Sequence, residues 1–227
     1  MPTVLITGAN RGLGLEYARQ YADDGWRVIA TCRVPETAME LTRIRGEVEI
    51  RALDIGNQEQ ILALANSLRK EAIDLLLNNA GIYGPRPSRL GNIEYDTWES
   101  VMRINVMAPL KVCESFSIHV ANSELKKIAI MSSKMGSIDD NNSGGSYVYR
   151  STKAALNAVM KSLSIDLASN GISVAILHPG WVRTDMGGPS GLIDVFESVS
   201  GLRKVIERLN LENSGRFYNF DGSEINW

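Results

Sequence analysis

Short runs rich in branched apolar residues recur along the chain, and between them the apolar positions return with the period of a helix. The runs are Val4 to Thr7, Val28 to Cys32, Val48 to Leu53, Ile73 to Leu77, Ile128 to Met131 and Ile172 to Leu177. A strand that is apolar at every position is buried on both faces, as in a parallel sheet covered by crossover helices. Between the third and fourth runs stands Asn57, a good N-cap with Gln60 at the capping-box position, followed by Ile61, Leu64, Ala65 and Leu68 on one helical face. That spacing predicts a crossover helix. Gly25 and Gly46 each follow a helical stretch and precede a strand, as C-caps before a chain reversal. The alternation predicts an α/β fold: a single doubly wound domain over residues 1–227. Such a sheet binds ligands outside the carboxyl ends of its strands, so the loops there are where chemistry is expected.

Composition narrows the partners. At 227 residues with 44% hydrophobic and 22% charged, the chain can build a full core and is not a disordered or fibrous type. Lys plus Arg total 24 against 26 for Asp plus Glu, a formal charge of -2, which argues against nucleic acid as a partner. Cys32 and Cys113 lie far apart without metal-ligand or redox spacing, and read as reduced core thiols; no metal site is expected. The N-terminus has no basic n-region, and no stretch approaches the roughly 18 apolar residues of a membrane span. A cytoplasmic protein without a membrane partner is expected. The polar cluster from Asp139 to Ser146 is too short to separate domains.

The first run leads into Thr7-Gly8-Ala9-Asn10-Arg11-Gly12-Leu13-Gly14 and then a helical stretch. Glycines between a strand and a helix let the backbone approach a pyrophosphate while helix N-terminal amides point at it. Dinucleotide binding follows. The second run ends Thr31-Cys32-Arg33, without the acid that usually takes the ribose hydroxyls of NAD, and Arg11 and Arg33 suit a 2′-phosphate. NADP(H) is therefore expected in preference to NAD(H). Asp54, in Leu53-Asp54-Ile55, can accept from an adenine amino group, and Asn78-Asn79-Ala80-Gly81 offers small residues for a cofactor to lie against; both also suit ordinary turns.

Tyr149 and Lys153 stand at i and i+4 and share a helix face. A cation about 4 Å from the phenol at an effective dielectric of ~20 is worth roughly 4 kcal/mol, enough to lower a tyrosine pKa by up to about three units. Such a tyrosine exchanges protons near neutral pH. Ser133 follows the fifth run and its hydroxyl can hydrogen-bond a substrate oxygen. A serine hydrolase is disfavoured because neither His119 nor His178 fits as its base and no elbow glycines flank Ser133. Asn105 sits among apolar residues in a predicted helix, and His178-Pro179-Gly180-Trp181-Val182-Arg183-Thr184-Asp185-Met186 is a rigid loop placed to cover a ligand, or a simple strand-to-helix connection.

In order and spacing these motifs resemble the short-chain dehydrogenases/reductases over essentially the whole chain, and within them the C-factor-like and sniffer-like carbonyl reductases. The resemblance implies a Rossmann-type domain with a mostly parallel sheet of about seven strands and helices on both faces. It implies a catalytic set of Asn105, Ser133, Tyr149 and Lys153, with Tyr149 giving the proton to a carbonyl oxygen. Ser133 would polarise that oxygen, Lys153 would lower the tyrosine pKa and hold the nicotinamide ribose, and Asn105 would fix a water linking Lys153 to solvent. Cofactor contacts would come from Gly8, Asn10, Arg11, Gly12, Leu13, Gly14, Arg33, Asp54, Ile55, Asn79, Ala80, Gly81, Tyr149, Lys153, Pro179, Gly180, Val182 and Thr184.

The function so implied is an NADPH-dependent reductase of a small or medium apolar aldehyde or ketone, or the reverse oxidation of an alcohol. An NADP(H)-binding sensor or signalling protein with little turnover is the rival. Tyr83, Pro85, Trp181, Met186, Leu192 and Phe196 are candidates to line the substrate pocket. The stripe Val101, Val106, Leu110 and Val112, with the family precedent, points to a homodimer or homotetramer.

Overall fold

Alternate residues of the apolar runs pack on opposite faces of one sheet in the computed structural model, which describes residues 1–86 and 88–227. The strands are β1 (Thr3–Thr7), β2 (Arg27–Cys32), β3 (Val48–Ala52), β4 (Leu75–Asn78), β5 (Lys127–Met131), β6 (Ser173–His178) and β7 (Arg216–Asn219). The helices are α1 (Gly12–Asp23), α2 (Met39–Thr42), α3 (Gln58–Ser67), α4 (Tyr95–Met102), α5 (Ala108–Ala121), α6 (Tyr147–Asp166) and α7 (Val195–Glu207). Strand order is β3-β2-β1-β4-β5-β6-β7, with every neighbouring pair parallel. The order in which strands are added reverses between β1 and β4, which opens a crevice at their carboxyl ends.

Leu5, Ile29, Leu76, Ile128 and Ile176 pack under α3, α5 and α6 through Ile61, Val112, Phe116, Leu156 and Met160. Val4, Ile6, Val28, Leu77 and Leu177 face Tyr17, Tyr21, Leu41, Val199, Leu202 and Ile206 of α1, α2 and α7. Burial on both sides is why β1, β2, β4, β5 and β6 carry no polar alternation. β3, at a sheet edge, is only partly buried and alternates Glu49 and Arg51 with its apolar residues, contrary to the expectation of a doubly buried strand there. β7 was not legible as an apolar run, because an edge strand needs only Phe217 fully buried while Arg216 stays exposed. β4 begins two residues later than its run. Ahead of it, the buried Asp74 carboxylate accepts from Thr3 N at 2.8 Å and ties the strand entries together.

Asn57 caps α3 as expected, accepting from Glu59 N and Gln60 N. The Gln60 side chain does not complete the capping box; its Oε1 accepts instead from Asp54 N at 2.8 Å, which braces the turn after β3. The stripe Val101, Val106 and Val112 is the inward face of its helices, buried to 1%, 6% and 0% exposure, with Leu110 packed against the same core. It is consumed within the chain and lends no support to a homo-oligomer. Between α4 and α5 one π turn, Arg103–Met107, replaces the uninterrupted α-helix that the sequence predicts. Both cysteines are buried free thiols. Among the described residues no helix is long and apolar enough to cross a membrane.

Candidate active site

β1 ends at the crevice, and the glycines after it are there for steric reasons. Gly8 and Gly12 take φ of 66° and 54°, and a Cβ on Gly14 would lie 2.2 Å from the Gly8 carbonyl oxygen. Only glycine lets α1 start this close to the strand end. The loop after β4 is stitched to this turn: Asn79 Nδ2 donates to Thr7 O and Gly8 O at 3.0 Å each, while Thr7 Oγ1 accepts from Asn79 N at 3.0 Å and Ala80 N at 3.1 Å. Asn79 is thus a structural staple whatever it contacts besides.

No side chain caps the N-terminus of α1, and its first turn holds no acid. The first amides of a helix lack intrahelical partners and sit at the positive end of its dipole. A Cβ on Gly12 would be 3.7 Å from Thr184 Cγ2, so the glycine turn and the loop after β6 face each other across the crevice. An uncapped helix end behind a glycine cradle fits the pyrophosphate of a dinucleotide. Gly180, at φ 82°, and the buried Val182 shape the opposite wall, and Pro179 O accepts from Ser198 Oγ at 2.6 Å.

The two arginines are not equivalent. Arg33 is exposed just past β2, whereas the Arg11 guanidinium is paired with Asp185 at 2.8 Å, their side chains 69% and 79% exposed. Sequence reasoning set both arginines aside for a 2′-phosphate and missed this partner. Asn10 is exposed, and Leu13 packs against the α1-side core. Asp54 Oδ1 accepts from Gly56 N at 2.8 Å, and Ile55 is buried beside it.

Asn105, Ser133, Tyr149 and Lys153 converge at the crevice. α6 carries Tyr149 and Lys153 one turn apart. The segment after Ser133 rests directly on that turn, since a Cβ on Gly136 would lie 2.7 Å from the Lys153 carbonyl carbon. Lys153 Nζ donates to Met131 O at 2.8 Å. A Cβ on Gly81 would sit 3.2 Å from Asn105 Oδ1 and 3.8 Å from Lys153 Nζ, so Gly81 lies directly against both groups. The π turn brings the Asn105 amide inward at 1% exposure, where it meets Ile82 and Thr152.

The electrostatics differ from the sequence expectation. Burial pushes the Tyr149 phenol up to about 12; the Ser133 hydroxyl opposes this by hydrogen bonding, Tyr83 adds to it, and Arg86 opposes it. Burial lowers the Lys153 ammonium to about 8. The Lys153 nitrogen is 5.8 Å from the centre of the Tyr149 ring and its proton is held by Met131 O, so in the protein alone it does not lower the tyrosine as expected. Burial also lowers His178 to about 4, so it is neutral at pH 7.

Tyr83 stacks on Tyr149 with ring centres 4.3 Å apart, and Arg86 lies 3.9 Å over the Tyr83 ring while donating to Met186 O at 2.8 Å. Sequence reasoning missed Arg86. Its one signal was position, five residues beyond Gly81 in the loop entering the site. Of the other expected pocket residues, Trp181 is half-exposed with Nε1 donating to Gly187 O at 2.8 Å, and Leu192 is exposed. Phe196 lines a groove with Lys204, Arg208 and Phe220 and is not brought to Tyr149.

Comparison with known proteins agrees with this geometry. A model of the short chain dehydrogenase family matches residues 2–191. The C-signal protein of Myxococcus xanthus is 40% identical over 165 residues, covering 73% of this chain and 99% of that one. Among solved structures, the carbonyl reductase Sniffer of D. melanogaster superposes with a TM-score of 0.92 at 32% identity over all of both chains. The NADPH-bound carbonyl reductase from chicken fatty liver gives 0.93 at 33% identity over 100% of this chain and 99% of that one. The chain belongs to the short-chain dehydrogenase family of NAD(P)-dependent oxidoreductases.

Proposed function

We propose that the protein is an NADPH-dependent carbonyl reductase for a small or medium aldehyde or ketone, with Tyr149 as proton donor. The observation that carries this is the buried Tyr149 phenol with the Ser133 hydroxyl facing it and Lys153 one helical turn on, beside a glycine cradle that fits a pyrophosphate. A pyrophosphate at the α1 amides is held by Gly8, Gly12 and Gly14, and Thr184 faces it. Asn10, Leu13, Ala80, Gly81, Pro179, Gly180 and Val182 border the same crevice, and Asp54 and Ile55 its adenine end. When bound, the nicotinamide cofactor supplies the hydride.

A phenol held at about 12 is fully protonated at neutral pH, which is the form that donates. Ser133 bonds the substrate oxygen, orients it and shares the developing negative charge. Lys153 near 8 is mostly charged at pH 7 and steadies the phenolate left after transfer. The Asn105 amide lies one glycine away from Lys153 and serves proton return from solvent. The NADPH-bound chicken reductase and the exposed Arg33 at the end of β2 support NADP(H) over NAD(H).

The test is loss of NADPH absorbance with a panel of aldehydes, ketones, quinones and isatins, alongside NADH and the Tyr149→Phe variant. Turnover that needs Tyr149 is expected, with NADPH preferred; turnover surviving in Tyr149→Phe would refute the assignment. The likeness to C-signal favours one alternative, an NADP(H)-binding signalling protein with little turnover. Tight NADPH binding with no turnover across the panel would select it.

A further inference from the structure

We propose that Tyr83 is a positioning residue for Tyr149, and that Arg86 locks it to the loop after β6, so that loop placement and proton-donor orientation are coupled. This rests on the assignment of Tyr149 as proton donor. The stack has three layers: the Arg86 guanidinium 3.9 Å over the Tyr83 ring, and that ring parallel to Tyr149 within 18° at 4.3 Å between centres. An offset ring pair and a cation over an aromatic face are each favourable, and here they share one ring.

The surroundings show a built arrangement. Tyr83 OH is 3.3 Å from Ser146 Oγ and 3.8 Å from Met135 Sδ. Ser146 is the N-cap residue of α6, where a serine ordinarily bonds the first amides of its own helix. It makes no such cap, takes a left-handed φ of 49°, and turns its hydroxyl to Tyr83 instead. A non-glycine residue in that region is strained, and the strain is spent where the helix bearing Tyr149 meets Tyr83. On the far side, Arg86 Nη2 donates to Met186 O at 2.8 Å, and Thr184 Oγ1 accepts from Gly187 N at 3.1 Å within the same loop. The loop that faces the glycine turn is therefore joined through Arg86 and Tyr83 to the phenol. Groups facing Tyr149 are Ser133 after β5, Tyr83 and Arg86 from the loop after β4, and Lys153 on its own helix.

Two measurements test this, one without turnover. In the first, tyrosines are nitrated with tetranitromethane and the Tyr149 peptide is read by mass spectrometry. Tyr149 should be protected in the wild type and in Tyr83→Phe and labelled in Tyr83→Leu; equal labelling in all three overturns the stack. In the second, single-turnover NADPH oxidation is followed with isatin as the carbonyl probe. Tyr83→Leu should lose about tenfold in rate with NADPH affinity unchanged, and Tyr83→Phe should stay within about twofold of wild type. Arg86→Met should lose several-fold, and the double variant Arg86→Met/Tyr83→Leu should be no slower than Tyr83→Leu, because both act through one stack. Multiplying effects, or a wild-type rate in Tyr83→Leu, would overturn the coupling. If the wild type reduces no carbonyl compound, the functional reading fails while nitration still decides the stack.

Discussion

Asn105 and Ile82 exchange a pair of hydrogen bonds: Ile82 N donates to Asn105 Oδ1 at 2.9 Å, and Asn105 Nδ2 donates back to Ile82 O at 2.8 Å. One buried amide therefore pins the loop after β4 to the π turn, and the same nitrogen reaches Thr152 Oγ1 at 3.2 Å on α6. Three elements of the site meet at one side chain.

Truncating that amide should loosen all three. Asn105→Ala leaves the Ile82 amide and the Thr152 hydroxyl without these partners, at a cost of about 2 kcal/mol. A melting temperature several degrees lower is expected, measured by far-ultraviolet circular dichroism. An unchanged midpoint would mean that water replaces the amide at no cost.

Lys153 makes a second, pH-dependent mark on stability. Burial lowers its ammonium from 10.5 to about 8, so between those values the unfolded chain binds more protons than the folded one. Stability contributed by this group thus rises with pH across that window, and the burial penalty is fully present below pH 8. In the cofactor-free protein, the difference in unfolding free energy between wild type and Lys153→Met should shift by about 3 kcal/mol towards the wild type between pH 8 and 10.5. Urea unfolding of both proteins at each pH checks this; a constant difference would show that Lys153 titrates as an ordinary lysine.

The Arg11–Asp185 pair sets a third expectation. At 69% and 79% exposure it is a weak ion pair, readily given up for a phosphate. Asp185→Asn releases the guanidinium and should tighten NADPH about threefold while leaving NADH unmoved, as read by quenching of intrinsic fluorescence. Equal gains for both cofactors would place Arg11 away from the 2′-phosphate.

The parallel sheet, the glycine turn and the shared helix face of Tyr149 and Lys153 were legible in the chain, because each is a local demand. Strands buried on both faces must be apolar throughout, a helix starting at a strand end must be glycine-rich, and i, i+4 puts Tyr149 and Lys153 on one face. Edge strand β7 and the π turn left no such trace. One needs a single buried Phe217, and the other is settled by what Asn105 finds to bond.

Contacts between distant segments decided the rest. Val101, Val106 and Val112 form the same stripe in sequence whether they face the chain's own interior or another copy, and only packing turned them inward. The Arg11 partner lies 174 residues away, and Met186 lies 100 residues from Arg86. The phenol and ammonium that spacing brought together proved to be governed by burial, since leaving water costs more than a neighbour 5.8 Å from the ring returns. Periodicity reports which face a residue takes, and desolvation depends on everything folded against that face.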